Sequence, residues 1–243
     1  MKTINKLTIM LIIMSGLVAA CSDDEESEKG NGFKGKHEYV DLGLPSGTLW
    51  ATCNIGANSP EEYGDYFAWG ETQGYLSGIK IFSWETYKWC NGSSNTLTKY
   101  NNVEEFGFRD NKAKLGFDDD CAYVNWGTNW RLPSHVQLEE LINRNYTTTE
   151  WTTLNGVFGY KITSKTNGNS IFMPAAGYRD NSSLKKDGTY GYYWSSILYD
   201  GTYTYYAEDL YFNSEGIYST NQYRSGGDYR YRGQSVRPVR YTE

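Results

Sequence analysis

The residues that could do covalent or metal chemistry are few, and their spacing argues against most of it. Cys53, Cys90 and Cys121 stand more than thirty residues apart, and the two histidines, His37 and His135, are equally dispersed. No Cys-x-x-Cys and no Cys/His cluster occurs, which argues against a zinc site. A thiol paired with His37 or His135 would make a nucleophile, but nothing in the spacing supports it, and His135, at the first turn of a predicted helix, reads as a solvated residue. No Gly-x-Ser-x-Gly elbow is present. Asp118, Asp119 and Asp120 offer oxygen ligands for a hard cation, yet three consecutive acids do not converge readily on one ion. The expectation is a protein that is not an enzyme and carries no cofactor and no metal.

What the chain has in excess is aromatic rings. They make up 16% of the 243 residues, with 23 Tyr and 8 Trp, a composition that rules out disorder for most of the chain. They concentrate in residues 199–232, where 9 of 34 residues are Tyr, 4 Gly, 3 Ser and 2 Asn. That palette is the one recognition loops use: Tyr gives large amphipathic contact area at low entropy cost, and the small polar residues give adaptable hydrogen bonds. Arg224, Arg230 and Arg232 add planar donors that stack on rings or grip carboxylates. Alternate residues of a strand share a face, so Tyr203 and Tyr205 point together, as do Tyr229 and Tyr231. The candidate ligand-binding residues are Tyr203, Tyr205, Tyr218, Tyr223, Arg224, Tyr229 and Tyr231, expected to be mostly exposed. The competing reading is a Tyr-rich β surface with no partner. A net charge of −6 argues against nucleic acid, whose phosphates call for a Lys/Arg surplus.

The N-terminus reads as processing signal. Lys2 and Lys6 precede an apolar stretch, Ile9 to Ala20, too short to span a hydrocarbon core of roughly 30 Å. Val18-Ala19-Ala20-Cys21 resembles a bacterial lipobox, which implies cleavage after residue 20 and acylation of Cys21; the alternative is a secretory signal with a chance cysteine. Cleavage removes two cations, Lys2 and Lys6, and takes the net charge from −6 to −8. The acidic run Ser22-Asp23-Asp24-Glu25-Glu26 resembles the export tag of Bacteroidetes surface lipoproteins, and its plainer reading is a solvated tether. Residues 1–20 are thus read as signal peptide, 21–36 as flexible acidic tether and 37–243 as a single domain, held at the outer membrane, facing the cell exterior, by its lipid alone. With Cys21 acylated, three cysteines remain, so at most one disulfide forms.

Short strand-like runs between turn signals dominate the domain. Pro45-Ser46-Gly47 joins residues 38–44 to 48–55 as a hairpin. Asn155-Gly156 and Asn167-Gly168 mark two more, between runs at 151–154, 160–163 and 170–173. Ser134 with Gln137 forms a capping box ahead of the apolar face Leu138, Leu141 and Ile142, predicting a helix over 134–143. A second helix is expected over 103–115. Strands are expected at 190–198, 203–212, 217–221 and 235–239. The fold class is α+β, mainly antiparallel.

Five motifs occur in order: YVDLGLPSGTLWATCNIG at 39–56, YGDYFAWGE at 63–71, NWRLPS at 129–134, YWSS at 193–196 and GQSVRPVR at 233–240. Together they resemble the Fibrobacter succinogenes major paralogous domain of Bacteroidetes lipoproteins. The resemblance implies a C-type-lectin-like fold, with short antiparallel strands, one or two helices and loops presented on one face by the last strands. It is a scaffold shared with formylglycine-generating enzymes and with the variable proteins of diversity-generating retroelements. The first relationship implies an oxidase built on paired copper-binding cysteines in the C-terminal segment, and this chain has none there. The second implies a C-terminal stretch diversified by mutagenesis that enriches Tyr, Asn, Ser, Asp and Gly. The motifs that true C-type lectins use for calcium-dependent sugar binding are absent. Trp50, Trp130 and Trp194 read as core anchors; Arg237 and Arg240 read as structural, pairing with carboxylates such as Glu71. The function these readings imply is a surface-anchored module binding a glycan or a protein, with a structural subunit of the cell envelope as the alternative.

Overall fold

The computed structural model of the chain describes residues 37–77, 80–219 and 227–240. Cys21, the tether, Tyr223 and Arg224 lie outside the described residues. The described residues belong to one compact unit, Gly35–Glu243.

Strands β1 (Tyr39–Asp41) and β2 (Leu49–Ala51) form the first hairpin, with Val40 opposite Trp50. The Gly47 amide closes its turn on the Leu44 carbonyl at 2.9 Å. About seventy residues without a regular strand or α-helix follow, before helix α1 (Cys121–Trp126), the two-residue strand β3 (Trp130–Arg131) and helix α2 (His135–Leu141). Helix α2 has the expected capping box: Ser134 Oγ accepts from the Gln137 amide, and Gln137 Oε1 accepts from the Ser134 amide. Leu138, Leu141 and Ile142 are buried beneath it.

Next comes an antiparallel meander, β4 (Thr147–Leu154), β5 (Val157–Ser164) and β6 (Ser170–Pro174). Its first turn is Asn155-Gly156, both at positive φ (48° and 83°), the two-residue geometry read from the sequence. A small pair, β7 (Tyr178–Asp180) with β8 (Ser183–Lys185), leads into a second sheet. There β10 (Tyr206–Asn213) is flanked by β9 (Tyr190–Leu198), β11 (Gly216–Ser219) and β12 (Asp228–Tyr229), all antiparallel to it. The last strand, β13 (Val239–Arg240), inserts between β2 and β3, so the first and last described strands share one sheet. The architecture is therefore mostly antiparallel β with few, short helices.

The tryptophans lie where the sequence puts them. Trp50, Trp130 and Trp194 are buried, each in one of two large apolar clusters. Other expectations are corrected. The segment 103–115 holds only a single 3₁₀ turn, Glu104–Phe106. Gly107, at φ 121°, lies so close to Leu97 that a Cβ would meet its carbonyl oxygen at 2.4 Å, and the Asp110 carboxylate accepts from the Tyr100, Asn101 and Lys112 amides. Backbone groups held this way cannot join a helical ladder. The strand expected over 203–212 begins only at Tyr206, and that expected over 235–239 reduces to Val239–Arg240, with Ser235 in an isolated bridge to Tyr193.

Among the described residues Arg237 meets no carboxylate. It is fully buried and donates to Asn54 Oδ1 and to the carbonyls of Ala51, Thr52 and Phe172, while Glu71 pairs with Lys80. Arg240 lies over the Tyr39 ring. His135 is not a solvated residue either. Its ring is largely covered and lies 3.0 Å from Glu208 and 2.9 Å from Glu139, and the hydrogen bond to Glu208 raises its pKa above the ordinary value of 6.5. Cys53, Cys90 and Cys121 are all free.

Candidate functional site

The C-terminal tyrosines are placed by the pairing of β10 with β12. Tyr206 lies opposite Tyr229 and Ala207 opposite Asp228, and the pairing is tight enough that a Cβ on Gly227 would lie 2.2 Å from the Ala207 carbonyl oxygen. The Arg230 amide donates to the Tyr205 carbonyl at 3.2 Å, which extends the ladder by one step. Alternation then sorts the side chains. Thr204 and Arg230 point inward and are fully buried, and the rings on either side of each turn outward.

The result is a ladder of four rings. Tyr203 and Tyr205 have centroids 5.4 Å apart, Tyr205 and Tyr229 6.1 Å, and Tyr229 and Tyr231 5.6 Å, with planes inclined by 35°, 18° and 26°. Trp84 meets three of them edge-on, at 6.4 Å from Tyr205, 6.2 Å from Tyr229 and 5.0 Å from Tyr231. Phe106 supports the other end, 5.1 Å from Tyr205 and perpendicular to it. Tyr206 wedges between, 4.7 Å from Tyr205 and 4.9 Å from Tyr229.

Among the described residues, Tyr203 alone of the expected exposed rings is exposed, at 50%. Tyr205, Tyr218, Tyr229 and Tyr231 are half-buried, because neighbouring rings cover much of one another. Burial pushes the phenols of Tyr205 and Tyr231 up, so near neutral pH they present O–H groups rather than charge. Arg232 edges the ladder, 5.1 Å above the Tyr229 ring and bonded to Asp228 at 2.6 Å. Asp228 in turn accepts from Gln234 Nε2, which also donates to Asp209.

Other members of the expected site lie elsewhere. Arg230 is a core residue, not a surface donor. Tyr218, on β11, belongs to a different ring group, stacked 6.0 Å from Tyr211, which in turn lies 5.8 Å from Tyr190 and 5.4 Å from Tyr192. Tyr223 and Arg224 are outside the described residues. Three contributors, Trp84, Phe106 and Tyr206, were not expected. Tyr206 could have been found from its place in the same Tyr-rich stretch, whereas Trp84 and Phe106 reach Tyr205 from 121 and 99 residues away in sequence and carry no local signal.

The groups considered for chemistry are occupied structurally. Asp120 caps α1, accepting from the Ala122 and Tyr123 amides, and also accepts from Leu132. Asp119 accepts from Tyr100 Oη at 2.6 Å and pairs with Lys99. His37 stacks on Trp126 at 3.8 Å. Burial raises the pKa of all three thiols, which lowers the thiolate fraction that nucleophilic attack needs. Among the described residues no group of three or more His, Cys, Asp or Glu side chains is arranged to hold a metal ion.

A family described as Domain of unknown function (DUF8237) matches residues 152–239, the stretch from within β4 to the start of β13 that carries the whole tyrosine ladder. No curated protein and no solved structure matches the chain.

Proposed function

We propose that this chain is a surface-anchored binding module that recognises a protein partner through the tyrosine ladder. The observation that carries the reading is the arrangement of Tyr203, Tyr205, Tyr229 and Tyr231. Four rings with planes inclined by 18° to 35° to their neighbours cover much of one another's faces, with Tyr203 half exposed at the end of the row. A sugar needs a free aromatic face to stack on, and a ladder offers few. A protein surface takes a mixed apolar and hydrogen-bonding strip, the use to which Tyr-rich paratopes are put. The rings are also pre-organised by Trp84 and Phe106, so little side-chain entropy is lost on docking.

The fold and the anchor belong to the same reading. A C-type-lectin-like scaffold of the Fibrobacter succinogenes major paralogous domain type places a C-terminal strip of this kind on one face. Acylation at Cys21, with the acidic run behind it, holds that face outside the cell. Here the fold analogy supplies only placement, since a scaffold carries no function by itself.

Two experiments test the proposal. The full chain is quantified for binding to surface-protein extracts and to a glycan array, alongside Tyr203→Ala and Tyr229→Ala. Loss of a true hot spot costs about 2 kcal/mol, roughly 30-fold in affinity. That loss in protein binding is expected with little change in melting temperature for Tyr203→Ala, whose ring is half exposed. Binding confined to glycans refutes the partner class; a partner indifferent to both substitutions moves the site off the ladder. The second experiment concerns the anchor. Cys21→Ala is expected to abolish labelling by a fatty-acid analogue and to release the protein from membranes, and unchanged membrane partitioning of this variant contradicts the lipoprotein reading.

A further inference from the structure

Away from the ladder, residues 113–117 run alongside the end of β9. The Leu115 amide donates to the Ser196 carbonyl at 3.0 Å and the Leu198 amide to Ala113 at 2.8 Å, while the Ser196 amide turns the other way, to Pro133 at 2.8 Å. A cleft of about 300 Å³ opens there, lined by Lys114, Leu115, Phe117, Asp120, Arg131, Leu132 and Ser196. Its size is at the lower end of small-molecule sites.

The cleft is apolar along Leu115, Phe117 and Leu132 and cationic at Lys114 and Arg131. Phe117 is 60% exposed and stacks on Tyr123 at 5.1 Å. The Arg131 guanidinium lies over both rings, 4.3 Å from each centroid, and is held by Nη1 donating to the Thr128 and Trp130 carbonyls. Among the described residues neither its Nε and Nη2 nor the Lys114 ammonium has an acceptor. Ser196 is 3% exposed, and its Oγ has no hydrogen-bond partner, a condition that costs stability until something bonds it. The lining carboxylate, Asp120, has its oxygens turned to the Ala122, Tyr123 and Leu132 amides.

We propose that this cleft binds a small organic carboxylate with an apolar body. A guanidinium fork with two free edges matches a carboxylate, Lys114 adds a second positive charge at the mouth, and the Leu and Phe walls take the apolar part. Two unpaired cations in one cleft are notable on a protein of net charge −6, where they focus attraction for an anion locally. Asp120 offsets one of the two cations, so the cleft holds one excess positive charge, which a monoanion balances and a dianion over-compensates. The proposal is independent of the tyrosine ladder.

The test titrates the full chain with benzoate by calorimetry, with benzyl alcohol as the neutral analogue and phenyl phosphate as the dianion. Saturable benzoate binding is expected, with benzyl alcohol about tenfold weaker or more and phenyl phosphate weaker than benzoate. Lys114→Ala and Arg131→Gln are each expected to lower benzoate affinity about tenfold, the effect of one lost charge-assisted contact. Lys114 is exposed, so its variant folds as the parent does even where Arg131→Gln is perturbed. Absence of saturable benzoate binding, equal binding of benzyl alcohol, tighter binding of phenyl phosphate, or indifference to Lys114→Ala each overturns the proposal.

Discussion

Trp194→Ala is expected to remove about 3 to 5 kcal/mol of stability, the range for truncating a large core aromatic. Trp194 is fully buried on β9 and packs with Phe67, Trp69, Trp130 and Leu198. Its Nε1 donates to the Phe67 carbonyl at 2.8 Å, and its amide donates to Ser235 at 3.2 Å. Truncation opens a cavity and removes one of the two donors to the Phe67 oxygen, which keeps the Gln234 amide at 3.0 Å, so the cavity carries most of the cost. For a domain of this size each kcal/mol lowers the melting temperature by about 2–4 °C, so a fall of about 10 °C or more is expected in a thermal scan, with a matching shift of the urea midpoint. A variant that melts within 2 °C of the parent would mean that Trp194 does not hold the two sheets to the loop at Phe67.

That loop shows where the sequence stopped being informative. Elements closed by neighbours in sequence were legible: the capping box at Ser134 and Gln137, the Asn155-Gly156 turn, and β9 over 190–198 with both boundaries as expected. The stretch 52–120 was not, because its order comes from distant partners. Phe67 exchanges amides with Gln234, Trp69 bonds Arg230, and Tyr66 Oη bonds Ala176. Local pattern carries no record of such contacts. Apolar residues there recur without a helical or strand period, and the 103–115 helix was inferred from residues that instead cluster around Phe106 and Asp110.

The candidate site was legible in composition and not in geometry. Counting tyrosines found the strip, and strand alternation correctly placed Tyr203 with Tyr205 and Tyr229 with Tyr231 on one face. Exposure was overestimated, because alternation says which way a ring points and nothing about what covers it. The arginines were misjudged for a related reason. Charged side chains are rarely fully buried, so Arg230 and Arg237 read as surface or carboxylate-paired groups, whereas each gathers three backbone carbonyls and one side-chain oxygen in the interior.

Arg230→Met is the substitution expected to couple stability to the site most strongly. The guanidinium is fully buried and donates to Tyr87 Oη, to the Tyr100 and Lys99 carbonyls at 3.0 Å and to the Thr204 carbonyl at 3.1 Å, with the Trp69 ring 5.0 Å away. Replacing a buried ion pair by apolar side chains is often neutral or stabilising, because both charges leave together. Here the acceptors are mostly main-chain oxygens that no substitution removes, and each one left without a donor costs about 1–3 kcal/mol. Methionine keeps the volume and still strands three carbonyls, so a loss of about 3 kcal/mol or more is expected. Lysine restores one charged donor without the fork that reaches three segments, so Arg230→Lys should recover only part of the loss. Because Arg230 lies between Tyr229 and Tyr231 and its amide holds the Tyr205 carbonyl, the ladder should loosen before the rest of the domain does. Amide exchange in Tyr205, Tyr206 and Tyr229 is expected to accelerate in Arg230→Lys more than exchange in β5, which is remote from the contact. If Arg230→Met unfolds at the parent's denaturant midpoint, or if exchange rises equally in β5 and at the ladder, the arginine does not organise the face.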